Sequence, residues 1–129
     1  MKTLVLLLTV IAALVLATAA LSQPAAVAKQ KDVIRFSTPV ILQGVTLQGE
    51  YLFVHDDTAM ARGEACTYVY RGTEAIESKL VVSFHCDPIP RPKATHFTVT
   101  SRELSSGVVE VREYQFKGDT EAHGVPGLK

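Results

Sequence analysis

The chain has 129 residues, with 13 basic and 13 acidic side chains. That length suits one domain with one sizeable core. The balanced charge excludes the basic stripe of a nucleic-acid binder and gives no attraction to anionic lipid. Trp is absent, which weakens a carbohydrate-stacking platform.

Residues 1–22 read as a secretory signal peptide. Lys2 gives a positive start, and Leu4 to Leu21 is apolar except for Thr9 and Thr18. Small residues and Ser22-Gln23-Pro24 follow, with A-x-A-like exits at Ala17-Thr18-Ala19 and Ala20-Leu21-Ser22. A run of about 18 apolar residues can just span a bilayer. The small-residue exit favours cleavage between Ala19 and Gln23 over an anchor. The expected product is soluble, exported to the periplasm or secreted, and near one net negative charge once Lys2 is lost. Residues 23–31 are expected to form a mobile arm, because they are small and polar and have no convincing apolar period. Residues 118–129 are expected to be a tail punctuated by Gly118, Gly124, Pro126 and Gly127.

Between these ends, residues 32–117 read as strand after strand. Val33-Ile34-Arg35-Phe36 and Val40-Ile41-Leu42 flank Pro39, which suits an edge or a break. Gln43-Gly44 is a turn. Glu50 to Val54 is apolar on both faces and reads as a central strand. Asp56 or Asp57 can cap one short helical turn over Thr58 to Arg62, with Gly63 ending it. Cys66 to Tyr70 and Leu80 to Phe84 are rich in β-branched and aromatic residues. Pro88-Ile89-Pro90-Arg91-Pro92 reads as a stiff extended connector. Thr95 to Thr100 alternates, with Phe97 and Val99 on one face and His96 turned to solvent. Ser105-Ser106-Gly107 reads as a hairpin loop.

Val108 to Phe116 is the last predicted strand. Val109 and Val111 share one parity, and Tyr114 and Phe116 share the other. Strict alternation cannot bury all four, so a β-bulge is expected near Arg112-Glu113. Six to seven short strands at this spacing predict an all-β domain, a small antiparallel sandwich or a partly open barrel.

The two cysteines fit one hairpin. If Cys66 lies opposite Cys86, Tyr68 faces Phe84 and Tyr70 faces Val82, with all six on one apolar face. Residues opposed across a non-hydrogen-bonded pair sit about 4.5 Å apart at Cα, at the short end of what a disulfide tolerates. Exported cysteines are normally oxidised to each other. A Cys66–Cys86 bridge would close a loop of about 20 residues, worth on the order of 3 kcal/mol.

Some segments carry a family likeness. Gly44-Val45-Thr46-Leu47-Gln48-Gly49-Glu50-Tyr51 resembles the turn-and-strand start (G-x-T-L-x-x-G-x-Y type) of small secreted bacterial β domains. The whole mature chain resembles uncharacterised small exported bacterial β-domain proteins. The segments that carry this are Val54-His55-Asp56-Asp57, Gly63-Glu64-Ala65-Cys66, Phe84-His85-Cys86 and Glu121-Ala122-His123-Gly124-Val125-Pro126. The resemblance implies a β fold and an exported location, and it brings no activity.

Several residues invite chemistry. His55, Asp57, His85 and His123 are candidate ligands for zinc or copper, because histidine and carboxylates at strand ends and in loops bind such ions. The competing reading of His55-Asp56-Asp57 is a strand end followed by a helix cap. Met60, Cys66 and His85-Cys86 would suit copper by softness. Neighbours on a strand point to opposite faces, however, and a disulfide would remove both thiolates. No G-x-S-x-G, S-x-x-K or Gly-rich phosphate loop occurs. Asp57, Arg62 and Arg91 form a candidate patch for an envelope or extracellular partner, provided that the loops after two strands converge near His55, Met60 and Ile89. The sequence therefore predicts an exported, non-catalytic β domain with a structural or partner-binding role and no cofactor. A periplasmic metal-binding protein is the alternative.

Overall fold

The computed structural model describes residues 29–128. The predicted leader and residues 23–28 of the predicted arm lie outside the described residues. The described chain is all-β. Eight strands form one curled, mixed sheet, a half-barrel with one lone 3-10 turn at Glu77–Lys79 and one short helical turn. The strands are β1 (Gln30–Leu42), β2 (Val45–His55), β3 (Thr67–Arg71), β4 (Leu80–Phe84), β5 (Asp87–Pro90), β6 (Thr98–Glu103), β7 (Val109–Gln115) and β8 (Glu121–Gly124). Their order is β4-β3-β2-β1-β7-β8-β5, with β6 paired to β7. The chain curls one sheet instead of stacking two, and β1 joins β7 in parallel through Ile41 and Glu110.

Local chemistry explains the long β1–β2 hairpin. Gln43 and Gly44 both take positive φ, 49° and 75°, and connect Leu42 to Val45. That is the two-residue turn whose twist matches antiparallel strands. β1 runs on through Pro39, but its register with β2 shifts between Phe36 and Val40. Pro39 cannot donate to a ladder, so an irregularity there removes a missing hydrogen bond from the pattern. β2 is central as expected, with β1 and β3 on either side and Tyr51 to His55 all buried.

The inferred bulge is present in β7. Thr100 pairs with Glu113 and Ser101 with Val111, leaving Arg112 as the extra residue. Val111, Tyr114 and Phe116 are consequently all buried, and Val109 packs against them. Phe53, Phe97, Tyr114 and Phe116 then meet in one aromatic cluster, with ring centroids 5.1–6.3 Å apart. Tilted and edge-on contacts at these distances add to the area that the rings bury.

Four expectations are corrected. The β3–β4 register is one residue away from the predicted one: Thr67 lies opposite Phe84, Tyr68 opposite Ser83, and Val69 opposite Val82. Thr67 and Val69 are therefore inside, while Tyr68 and Tyr70 are only half-buried. A one-residue slip exchanges the faces of a strand, and both faces here carry enough apolar residues to allow either choice. The proline-rich connector supplies β5, paired antiparallel with β8. The predicted tail supplies β8, and the predicted arm gives Gln30 and Lys31 to β1. Pro88 and Pro90 are tolerated because β5 ends the strand order. Among the described residues, no helix is long and apolar enough to cross a membrane.

Candidate metal centre

The buried polar and charged residues among those described are His55, Thr67 and His123. They gather at one end of the core beside Cys66 and Cys86. Buried polar groups need partners, so their concentration sets this part of the core apart from the apolar remainder.

Each donor has a local reason for its position. His55 is the last residue of β2. The chain then leaves the sheet through the helical turn α1 (Asp57–Ala61), capped by Asp56, whose carboxylate accepts from Ala59 N at 3.1 Å. Gly63, at φ +72°, lets the chain double back. Asp56 N donates to Cys66 O at 2.9 Å, and Cys66 N donates to Phe84 O at 3.0 Å. These bonds hold Cys66 between the end of β2 and the end of β4. Cys86 lies between β4 and β5. His123 sits in β8, paired with Tyr114 of β7. A Cβ on Gly124 would meet Asp87 O at 3.1 Å and Ile89 Cδ1 at 2.8 Å. Glycine therefore allows β8 to lie close against the residue after Cys86.

Cys86 is the hub. Its Sγ lies 2.9 Å from Cys66 Sγ, 3.3 Å from His55 Nε2 and 3.6 Å from His123 Nδ1. The ligand atoms of His55, Cys66 and Cys86 all lie within 4.8 Å of one another. His123 joins through Cys86, and its ring lies over that of His55 with centroids 3.9 Å apart. Tyr114 stacks on His123, with ring centroids 5.0 Å apart, and its hydroxyl meets that of Thr67. Both cysteines are free thiols and fully buried.

His55 Nδ1 lies 3.0 Å from Asp57 Oδ1, but out of line for a proper hydrogen bond, so the atom counts as unpartnered. We read this contact as an electrostatic one that orients the ring. His123 Nε2 is also buried without a partner.

Burial sets the protonation of the cluster. It holds His123 down to about 4, helped by neighbouring His55. It also lowers His55, against the pull of Asp57, Asp56, Glu121 and Asp119 in the opposite direction. Burial and then Cys66 push the Cys86 thiol up to about 12, and burial raises the Tyr114 hydroxyl as well. Burial thus favours neutral imidazoles at His55 and His123, ready to donate lone pairs, and a protonated Cys86.

The predicted ligand set is only partly brought together. His55 and His123 converge. Asp57 stands behind His55, half-exposed. His85 is exposed, and its Nδ1 contacts Glu64 O at 2.8 Å and lies 3.9 Å from Cys66 Sγ. Cys66 and Cys86, the pair expected to bridge, bring their sulfurs to the centre of the cluster, 2.9 Å apart. The predicted partner patch is divided among local pairs. Arg62 holds Glu64, and Arg91 reaches Glu113 on β7. The two loops begin side by side, because His55 touches Cys86, yet no hydrogen bond or ion pair among the described residues joins Asp57, Arg62 and Arg91. Met60 packs against the core. His96 is exposed, as expected.

No family model, curated protein or solved structure matches the chain.

Proposed function

We propose that this is an exported β domain built around a structural zinc site formed by Cys66, Cys86, His55 and His123. The observation that carries the reading is the buried group of His55, Cys66 and Cys86, whose ligand atoms lie within 4.8 Å of one another, with His123 Nδ1 3.6 Å from Cys86 Sγ as the fourth donor. Two cysteines and two histidines are a standard closed zinc set, whereas catalytic zinc keeps an open position. Tetrahedral zinc spaces its donors at about 3.5–3.8 Å, close to both sulfur–nitrogen contacts.

Charge favours the same ion. Zinc displaces the two thiol protons on binding. Two thiolates, two neutral imidazoles and one divalent cation sum to zero, which suits a buried site. Monovalent copper would leave a net negative charge there. Asp57 Oδ1, 3.0 Å from His55 Nδ1 on the side away from Cys86, is placed to orient the ring electrostatically. Export rests on the leader-like residues 1–22 and on the family resemblance.

The order Asp57–His55–Cys86 also has the form of an activated cysteine nucleophile. Full burial and a thiol raised to about 12 are the opposite of what a nucleophile needs.

Elemental analysis of protein isolated without chelators or a histidine tag tests the reading. The expected result is close to one zinc per chain, lost in His55→Ala and Cys86→Ser and retained in His85→Ala. A wild-type protein that holds no zinc after reduced isolation overturns it.

A further inference from the structure

The sulfur pair has a second chemistry open to it. A disulfide needs the sulfurs about 2.05 Å apart, and a tetrahedral zinc ion needs about 3.8 Å. The observed 2.9 Å lies between these distances. Either state is reached by a movement of about 1 Å, inward for the bond and outward for the ion. The two states exclude each other, because a sulfur in a disulfide is no longer a thiolate ligand.

Access decides when the choice is made. Cys66 and Cys86 are both 0 % exposed. The surface cavities lined by Ile41, Gln43 and Glu110, by Gln30 and Phe116, and by Pro39 and Val109 do not reach them. Thiol–disulfide exchange needs in-line approach of an external disulfide to a thiolate, and neither cysteine presents any surface for it in the folded domain. In the unfolded chain both cysteines are open to solvent.

We propose that the Cys66–Cys86 pair has two mutually exclusive occupants, a zinc ion or a disulfide bond, and that which one it holds is fixed as the domain folds. The inference rests on the zinc reading above. The oxidant is a disulfide, either a small thiol dimer or a protein disulfide. One cysteine thiolate attacks it, forming a mixed disulfide and releasing one thiolate. The second cysteine thiolate then attacks the mixed disulfide, closes the bridge and releases the other thiolate. Two cysteine thiols lose two electrons, and the external disulfide gains them. Zinc bound first blocks both attacks. The bridge formed first removes two of the four ligands.

Refolding of the denatured, reduced full chain tests this. One portion is refolded with zinc under reductant, and the other with chelator and oxidised glutathione. Native and denaturing mass spectrometry then read zinc and bridge. The first portion is expected to carry one zinc and no bridge, and the second a bridge and no zinc. Each folded form is then challenged with the opposite reagent. Conversion is expected to be slower by at least about tenfold than in denaturant, because it requires opening of the fold. Failure of the reduced chain to take up zinc overturns both the zinc reading and this inference. Zinc uptake followed by rapid release from the folded form by oxidised glutathione overturns this inference alone, as does stoichiometric zinc uptake by the bridged form.

Discussion

Two adjoining ends of the core are held by different means, and Tyr114 and Phe116 touch His123 where they meet. At one end Phe53, Phe97, Tyr114 and Phe116 pack ring against ring. At the other, His55, His123, Cys66 and Cys86 meet with two ring nitrogens unpartnered. The aromatic end is complete by itself, since apolar burial needs no specific partner. The polar end gathers buried thiols and imidazoles whose ligating atoms face one another. The comparison teaches that burial alone does not mark a site, and that buried ligating groups brought together do.

The largest expected effect lies at the aromatic end. Deletion of Arg112 removes the extra residue of the β7 bulge and turns Tyr114 and Phe116 outward. We expect no cooperative unfolding transition by circular dichroism. Arg112→Ala keeps the residue count and is expected to shift stability by only about 0.5 kcal/mol. Equal behaviour of the two variants would contradict the bulge account. Phe53→Ala, also at this end, is expected to cost about 3–5 kcal/mol in denaturant titration. That loss should be the same with zinc or with chelator.

The polar end should respond in the other way. Zinc at 100 times its dissociation constant is expected to stabilise the wild type by about 2.7 kcal/mol. Cys86→Ala should abolish this zinc-dependent increment. A zinc increment that survives in Cys86→Ala would break the distinction between the ends.

Acidification probes the same end without metal. His123 is held near 4 in the fold against an ordinary 6.5. Between those values the unfolded chain binds the proton first. Stability of the zinc-free protein should therefore fall as pH drops from about 6.5 to 4, by up to about 1.4 kcal/mol per pH unit for one histidine. The lowered His55 acts in the same direction. Below pH 4 the His123 contribution levels off. Calorimetry across this range should show a shallower slope in His123→Gln. The smallest effect is expected from Arg91→Ala on the surface, where melting should match the wild type despite the forked contact with Glu113.

Much of the architecture was legible in the sequence because it depends on neighbours along the chain. The Gln43-Gly44 turn, the Asp56 cap and the parity change across Arg112 are such features. The β3–β4 register was not, since Tyr68 and Val69 suit an inward face equally well and only tertiary packing chooses. β5 and β8 were hidden by Pro88, Pro90 and Gly124, which locally argue against strands. In β8 the glycine is used for close approach to Asp87. The site was half legible. His55 and His123 are legible as candidate ligands from residue type alone, whereas their meeting with Cys66 and Cys86 depends on tertiary packing. His85 lies between buried Phe84 and Cys86 and faces outward, as alternation along the chain requires.

Cobalt substitution tests the central claim most directly, because cobalt reports its own ligands. Reduced protein titrated with Co2+ should develop thiolate-to-cobalt charge transfer in the near ultraviolet and the intense visible bands of a tetrahedral ion, saturating at one equivalent and bleached by zinc. The weak pink spectrum of octahedral cobalt, with no charge-transfer band, would contradict a site built from Cys66, Cys86, His55 and His123.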